Sequence, residues 1–211
     1  MTPDTSKPIP ATVQIPAHAV ALMRATGYRA WLRGLFAGFN GNMSLRLTHA
    51  DKEYALVTRT GSAKGRLGED DLCVVRLDDG AVIAGGKPSS EFAMHRVVYA
   101  AQPEAMAVMH THPPKLLALS VLLPPEERLA MPIHEAKPLA QRLAFAPECT
   151  PGTEELAKAV GARARSHQAV WMENHGLMAW GANLADAASL SEELEHLAAI
   201  QLTLLQCKKR L

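Results

Sequence analysis

Three histidines stand where they could share a metal ion. His110 and His112 are separated by one residue at the end of the apolar run 106–110, and side chains two apart on a strand point to the same face. His175 follows another short apolar run, 169–172. Three neutral imidazoles leave one open position on a tetrahedral zinc ion, as catalytic sites require. The alternative is that these side chains only make hydrogen bonds at strand ends.

A carboxylate and two serines form a second candidate group at the start of a predicted helix. Ser89, Ser90 and Glu91 end the segment 87–91 (KPSSE). Backbone amides and hydroxyls at a helix start can bind an anion, and Glu91 is a carboxylate available for catalysis. The alternative is structural, with a serine as the N-cap and Glu91 complementing the helix dipole. His95, on the same helix face as Glu91, either orients that carboxylate or packs in the core.

Two turns of small residues are candidates for binding a phosphate group. One turn is 40–42 (NGN) and the other is 60–62 (TGS). Each can present backbone amides and side-chain polar groups to an anion, but each is equally suited to an ordinary hairpin or helix-stop turn. Lys64 and Arg66 add positive charge near the second turn.

Hydropathy patterns and turn residues predict the elements that must position these side chains. The predicted helices are 16–38, 90–101 with a serine N-cap, 114–123, 153–166 and 183–207. The predicted strands are 43–47 paired with 54–58, 72–77 paired with 81–84, and then 106–110, 169–172 and 177–180. This order predicts an α/β fold with a central, largely antiparallel or mixed sheet covered by helices. Residues 1–15 are expected to be a flexible N-terminal tail and 16–211 a single domain.

Composition excludes several classes of protein. The 211 residues include 22 Lys plus Arg and 21 Asp plus Glu, for a net charge of +1, and 48% are hydrophobic. We therefore expect a globular chain with no nucleic-acid or membrane-surface partner. No run of about 18 apolar residues predicts a membrane span. The three scattered cysteines predict no disulfide framework and favour a cytoplasmic protein.

Taken together, the order of these motifs resembles the class II aldolase/adducin family of zinc-dependent sugar-phosphate enzymes. The matching segments are 41–46 (GNMSLR), 58–61 (TRTG), 64–67 (KGRL), 87–91 (KPSSE), His95, 110–112 (HTH), 151–156 (PGTEEL) and 174–176 (NHG). They span nearly the whole chain, and their combined order is far more specific than any one of them.

The resemblance implies a three-layer α/β/α fold and a homotetramer with active sites between neighbouring subunits. It implies one Zn²⁺ per subunit, with Mn²⁺ or Co²⁺ as alternatives, held by His110, His112 and His175. It implies that Glu91 is the acid/base carboxylate beside the metal. It also implies that the substrate phosphate is held by Asn42, Thr60, Gly61, Ser89 and Ser90.

The implied reaction is aldol cleavage of a ketose 1-phosphate to dihydroxyacetone phosphate and an aldehyde, through a metal-stabilised enediolate. The substrate would be fuculose-phosphate-like or deoxy- or methylthio-ribulose-phosphate-like. Two alternatives stay open. The segments 58–61 and 64–67 look more like methylthioribulose-1-phosphate dehydratases, which use the same zinc and glutamate. Adducin-like members are non-catalytic interaction modules, but they lack the metal histidines.

One departure from the aldolases concerns proton transfer. Fuculose-phosphate aldolases carry a tyrosine after a histidine downstream of the His-x-His strand, and the corresponding pair here is His134-Glu135. The tyrosine is missing, so Glu135 is a candidate replacement proton donor or a contact to a partner subunit. A solvated charge beside a proline-rich loop is the alternative for Glu135.

Overall fold

The computed structural model of the chain describes residues 15–208. Its helices are α1 (Ala17–Leu32), α2 (Phe92–Ala101), α3 (Pro114–Leu122), α4 (Ala136–Gln141), α5 (Glu154–Ala164) and α6 (Leu184–Lys208). Its strands are β1 (Asn42–His49), β2 (Lys52–Thr58), β3 (Leu72–Arg76), β4 (Val82–Gly85), β5 (Ala107–Thr111), β6 (Leu143–Ala146), β7 (Ala169–Met172) and β8 (Gly176–Gly181). No helix in the described part of the chain is both long enough and apolar enough to span a bilayer.

The strands form one eight-stranded sheet in the order β4-β3-β2-β1-β5-β8-β7-β6. β6 and β7 pair in parallel, and the other neighbours pair antiparallel. The sheet is therefore mixed and largely antiparallel, which confirms the predicted fold class. Every residue of β5 is buried, as expected for a central strand covered on both faces.

Helices cover both faces of the sheet and make a three-layer α/β/α structure. On one face, apolar strand residues such as Val108 pack with Val98 of α2 and Leu156 of α5. On the other face, Met109 packs against α1, and β7 and β8 pack against α3 and α6. Burial of these apolar surfaces on two sides is the main stabilising contribution to the fold.

The structure corrects four details of the predicted elements. α1 ends at Leu32 rather than near residue 38, because the following Gly34 adopts a positive φ of 75°. α2 begins at Phe92 with Glu91 as its N-cap; the predicted serine cap is wrong, although the Ser89 hydroxyl accepts a hydrogen bond from the Glu91 N–H at 3.3 Å.

The other two corrections lie in the segment that follows α3. The predicted elements leave 124–152 without a helix, but α4 lies within this stretch. β6 was not predicted at all. The predicted tail lies outside the described residues except for Ile15, and the single domain over 16–211 stays a prediction.

Candidate active site

The three histidines predicted to bind a metal lie together at one end of the central strands. His110 is in β5 and is fully buried, and His112 directly follows this strand. His175 is in the turn between β7 and β8. β5 and β8 pair side by side with Thr111 opposite Leu177. As a result, one nitrogen from each imidazole lies within 4.8 Å of the others.

Gly176 allows the β7–β8 turn to come this close to β5. A Cβ atom at this position would lie 2.5 Å from the carbonyl oxygen of Thr111, 3.0 Å from His110 Cε1 and 3.1 Å from His112 Cδ2. Contacts with the backbone at such distances force the strands to move. The glycine after His175 is therefore required by the close approach of the ligand-bearing segments.

The chemistry of the donor atoms fits a metal ion. His110 Nδ1 lies 3.2 Å from the Leu177 carbonyl, so Nδ1 carries the proton and Nε2 presents a lone pair. That lone pair faces His112 Nε2 at 2.9 Å and Glu91 Oε2 at 3.3 Å. Glu91 Oε1 lies 3.0 Å from His175 Nε2 and accepts no hydrogen bond from residues 15–208. Lone pairs that converge in this way are stabilised by a cation at their centre.

The electrostatic environment favours the protonation states that a metal needs. Burial, and then the nearby charges of His110 and His175, lower the pKa of His112 to about 3. Burial acts to raise the pKa of Glu91, but the His110 and His175 imidazoles, when they are protonated, outweigh it and hold this pKa well below its usual range. Near neutral pH the His112 imidazole is therefore neutral and the Glu91 carboxylate is ionised, as metal ligation requires.

The side-chain amide of Asn42 donates a hydrogen bond to Glu91. Asn42 pairs with His110 in the β1–β5 ladder, and its Nδ2 donates to Glu91 Oε2 at 3.0 Å. The other end of this amide, Oδ1, is 2.5 Å from His95 Nε2. Since Oδ1 can only accept, His95 Nε2 is the donor. The imidazole of His95 thereby fixes which end of the Asn42 amide faces the carboxylate.

This chain of hydrogen bonds continues into the core. His95 Nδ1 must accept, and its partner is the Ser44 hydroxyl at 2.8 Å; Ser44 Oγ in turn accepts from the Tyr99 hydroxyl at 2.7 Å. Burial, and then the charge of His110, lower the pKa of His95 to about 3, which keeps the ring neutral. His95 thus combines the two roles considered for it, since it packs in the core and is linked to Glu91.

Ser44 and Tyr99 were not predicted as parts of this hydrogen-bond network, although the sequence contains a signal for them. Tyr99, His95 and the N-cap Glu91 are spaced by four residues and so lie along one face of α2. Asn42 and Ser44 are spaced by two and share one face of β1. Polar residues at both periods predict a hydrogen-bonded contact between a helix and a strand.

The residues predicted to hold phosphate lie on two adjoining segments. The Ser89 N–H donates to the Thr58 carbonyl at 3.1 Å, and the Thr60 N–H donates to the Lys87 carbonyl at 3.3 Å. Thr60, Gly61 and Ser90 are exposed and Ser89 is half-buried. We call these four residues the phosphate cradle, and its last residue, Ser90, directly precedes Glu91 in the sequence. Asn42, by contrast, is buried with its amide between Glu91 and His95. A phosphate contact stays a prediction for all five residues: Asn42, Thr60, Gly61, Ser89 and Ser90.

Among the described residues 15–208, Glu135 is the predicted site residue that does not lie at the site. It is exposed and is the N-cap of α4. It makes no hydrogen bond or salt bridge with Glu91 or the three histidines in this part of the chain. Its role as a proton donor or partner contact stays a prediction.

A buried arginine that sequence reasoning missed supports the turn that carries His175. Arg128 donates to Glu173 through Nη1 at 2.5 Å and through Nη2 at 2.7 Å. The Ser120 hydroxyl accepts from the Asn174 N–H at 3.0 Å. Two consecutive residues before His175 are thus fixed. Nothing in the sequence signals this role, because Arg128 lies in a segment with no regular pattern.

Comparisons with known proteins agree with this fold. Residues 21–202 match the family described as class II aldolase and adducin N-terminal domain. The 3-oxo-tetronate 4-phosphate decarboxylase of Haemophilus influenzae is 35% identical over 187 residues, covering 87% of this chain and 86% of that protein. Methylthioribulose-1-phosphate dehydratase of Xanthomonas oryzae is 32% identical over 219 aligned positions, covering 97% of this chain and 94% of that protein.

A solved structure gives the same result. L-fuculose-1-phosphate aldolase from Thermus thermophilus superposes with a TM-score of 0.78 at 30% identity, covering 92% of this chain and 97% of that one. The family match spans most of the chain and includes all three histidines and Glu91. The protein is therefore a member of the class II aldolase and adducin N-terminal domain family.

Proposed function

We propose that the protein is a metal-dependent lyase that cleaves a carbon–carbon bond in a phosphorylated ketose or keto acid and releases dihydroxyacetone phosphate. The observation that carries the proposal is the position of Glu91. Its carboxylate contacts the Nε2 atoms of His110 and His175 at 3.3 and 3.0 Å, and it directly follows Ser89 and Ser90 of the phosphate cradle. Glu91 thus connects the predicted metal ligands with the predicted phosphate-binding residues.

In this proposal the metal would act on the substrate carbonyl, and protein residues bind the phosphate and transfer the proton. A Zn²⁺ ion held by His110, His112 and His175, or Mn²⁺ or Co²⁺ in its place, would polarise a substrate carbonyl and stabilise the charge that develops as the neighbouring bond breaks. The cradle anchors the phosphate, so that binding energy far from the reacting bond orients it. Glu91, ionised in the resting site, takes up one proton and delivers it to the carbon that cleavage leaves electron-rich.

Aldol cleavage of a ketose 1-phosphate is the first candidate reaction. It agrees with the T. thermophilus aldolase, whose structure this chain matches, and with the segment 151–156, which resembles the aldolases. The departing aldehyde must lose its hydroxyl proton in this reaction. Within residues 15–208, no tyrosine contacts Glu91 or the histidines, so this second proton transfer has no assigned group.

Decarboxylation of a 3-oxo-tetronate 4-phosphate is the second candidate, and this missing group favours it. Loss of CO₂ from such a β-keto acid leaves the same enediolate that aldol cleavage leaves, and protonation again gives dihydroxyacetone phosphate. CO₂ departs without giving up a proton, so the only proton transfer is the one to the enediolate carbon. Glu91 suffices as the single acid/base group if it relays this proton from solvent. The H. influenzae relative that is 35% identical bears the name of this activity.

The test measures products from a panel of substrates. The purified, Zn²⁺-loaded protein is incubated with ketose 1-phosphates and with 3-oxo-tetronate 4-phosphate, and dihydroxyacetone phosphate is detected through coupled reduction. Release of an aldehyde assigns aldol cleavage, and release of CO₂ assigns decarboxylation. The proposal fails if a diketone phosphate forms without a triose, which would identify a methylthioribulose-1-phosphate dehydratase-like enzyme. It also fails if the protein binds no metal, which would favour the non-catalytic adducin-like module.

A further inference from the structure

Lys64 is a buried cation that the catalytic scheme does not use. The residue is only 1% exposed. Its Nζ donates to the Phe39 carbonyl at 2.6 Å and to the Ser62 carbonyl at 2.7 Å. It forms no salt bridge with any carboxylate of residues 15–208. An ammonium group in this environment has lost its hydration shell without gaining an anion, which is costly.

The two carbonyls that Lys64 contacts lie in or directly before the two candidate phosphate turns. Phe39 immediately precedes the turn 40–42, and Ser62 ends the turn 60–62. Lys64 therefore links the two turns, because its ammonium group donates a hydrogen bond to a carbonyl at each of them. An ammonium group has three donors, and two are used here.

The charges around Lys64 leave it without a direct counter-ion. Burial lowers its pKa to about 8, and the more distant carboxylates of Asp71 and Glu91 offset this only in part. Asp71 accepts from the Gly68 N–H and Glu91 from Asn42, so each is occupied elsewhere. His112 also lies within range of the charge of Lys64 and is neutral. Among residues 15–208, no carboxylate therefore pairs directly with the Lys64 ammonium group.

We propose that Lys64 is the counter-charge for the phosphate group of the substrate, a residue that positions both turns and selects phosphorylated over unphosphorylated substrates. The inference rests on the proposed function, which supplies a phosphate-bearing substrate. A phosphate dianion at the cradle stabilises the buried ammonium, because charges that are removed from water are only weakly screened from each other. The neutral amides and hydroxyls of the cradle give the phosphate its geometry, and Lys64 gives it charge.

Three substitutions separate the charge of Lys64 from its hydrogen bonds. Lys64→Gln keeps an N–H donor for the carbonyls and removes the charge, Lys64→Met removes both, and Lys64→Arg keeps both. Lys158→Gln, on the exposed face of α5, removes one positive charge elsewhere and is the control. Binding is measured by calorimetry with glycerol phosphate and with glycerol as the unphosphorylated probe.

We expect Lys64→Gln and Lys64→Met to weaken glycerol phosphate binding about tenfold or more, as for loss of one partner of a desolvated charge pair. Lys64→Arg and Lys158→Gln should bind like the wild type. In steady-state kinetics with the substrate that the protein cleaves, Lys64→Gln and Lys64→Met should show mainly a raised KM and little change in kcat. Wild-type affinity in Lys64→Gln would overturn the inference.

Proton uptake gives a second test that needs no destabilising variant. A phosphate bound near Lys64 raises the pKa of this lysine, so at about pH 8.5 the wild type should take up protons when glycerol phosphate binds. The ester itself, with a second pKa of about 6, is already a dianion there. Lys64→Arg, which stays charged, should take up none. Equal proton uptake by the two proteins, or none by the wild type, rejects the inference. Failure of the proposed function would show differently, as intact phosphate binding without cleavage of any substrate.

Discussion

At the scale of single residues, Glu91 is placed by contacts with both of its carboxylate oxygens. The His110 and His175 imidazoles lie 3.3 Å from Oε2 and 3.0 Å from Oε1. The amide of Asn42 donates to Oε2 at 3.0 Å. These contacts hold the carboxylate beside the three histidines that would bind the metal. The proton-transfer group is thereby kept within reach of the reacting carbon.

The first prediction concerns the charge of Glu91. Glu91→Gln should lower kcat by about two orders of magnitude or more, because an amide cannot accept and return the proton. Bound zinc, measured by atomic absorption, should stay at wild-type level, because three imidazoles suffice as ligands. Glu193→Gln, on the exposed surface of α6, is the matched control and should keep full activity. Full activity in Glu91→Gln would remove Glu91 from the mechanism.

The second prediction separates the hydrogen-bond chain behind Glu91 from core stability. Ser44→Ala leaves His95 without the donor to its Nδ1, so the ring can change tautomer and release Asn42. We expect kcat to fall about tenfold and the free energy of unfolding by about 1–3 kcal/mol. Tyr99→Phe also removes one buried hydroxyl, at the far end of the chain, but leaves Ser44 free to donate to His95.

The comparison of these two variants decides the question. Both should lose comparable stability in urea unfolding, and Tyr99→Phe should keep kcat within about twofold, since the hydrogen bonds from Ser44 to Glu91 survive. Equal losses of kcat in the two variants would mean that the chain acts only through stability.

At the scale of elements, the site depends on the distance between β5 and the turn that precedes β8. The third prediction is that Gly176→Ala lowers zinc affinity about 10- to 100-fold, as for other changes that misplace metal ligands. The added methyl group would lie 2.5 Å from the Thr111 carbonyl, so the strands must separate. Zinc affinity is measured by competition with a chromophoric chelator.

Gly68→Ala is the control for this prediction. It adds the same methyl group where the nearest atom, Asp71 Oδ2, is 3.7 Å away, and zinc affinity should not change. If Gly176→Ala binds zinc as tightly as the wild type, the close approach of the two elements is not required for the site.

The same elements show how far the sequence alone can lead. The positions of the three histidines could be predicted from short apolar runs, because polar residues at the end of a buried strand lie where the strand leaves the sheet. β6 escaped prediction because it is four residues long and pairs in parallel with β7, far along the chain. The start of α2 was misplaced by two residues because the Ser89 hydroxyl accepts from the Glu91 N–H before the helix begins.

Arg128 shows a different limit. Its value to the site depends on Glu173, Ser120 and the rings of Trp171 and Phe145, which approach it only in the folded chain. No local pattern encodes such a contact. Local spacing thus predicted the residues at the centre of the site, while the surrounding support became visible only with the packing.

At the scale of the whole molecule, a metal would link β5 to the β7–β8 turn in the middle of the sheet. The fourth prediction is that Zn²⁺ at about 100 times its dissociation constant stabilises the fold by about 2.7 kcal/mol. For a chain of this size, that is a rise in Tm of about 5–10 °C. Scanning calorimetry with and without a chelator measures it. His175→Ala should show almost no difference between the two conditions. An unchanged Tm in the wild type would contradict the metal site.

The fifth prediction concerns assembly. Four large apolar side chains near the end of α1 are markedly exposed: Tyr28 at 52%, Trp31 at 46%, Leu32 at 61% and Phe39 at 63%. A contiguous patch of this kind marks an interaction surface, and the predicted homotetramer offers another copy of the chain to cover it. The double variant Leu32→Glu/Phe39→Ser should therefore reduce the mass measured by light scattering without lowering the stability of the subunit.

Val121→Ser/Leu122→Ser is the control, because these residues are also exposed, at 78% and 59%, but lie at the end of α3. Its mass should not change. Dissociation should also lower activity, because the Phe39 carbonyl binds Lys64 and the patch therefore borders the phosphate turns. If the wild type is a monomer and fully active, both the assembly and its link to the site are wrong. If the Leu32→Glu/Phe39→Ser variant dissociates with kcat and KM unchanged, the subunit carries a complete site by itself.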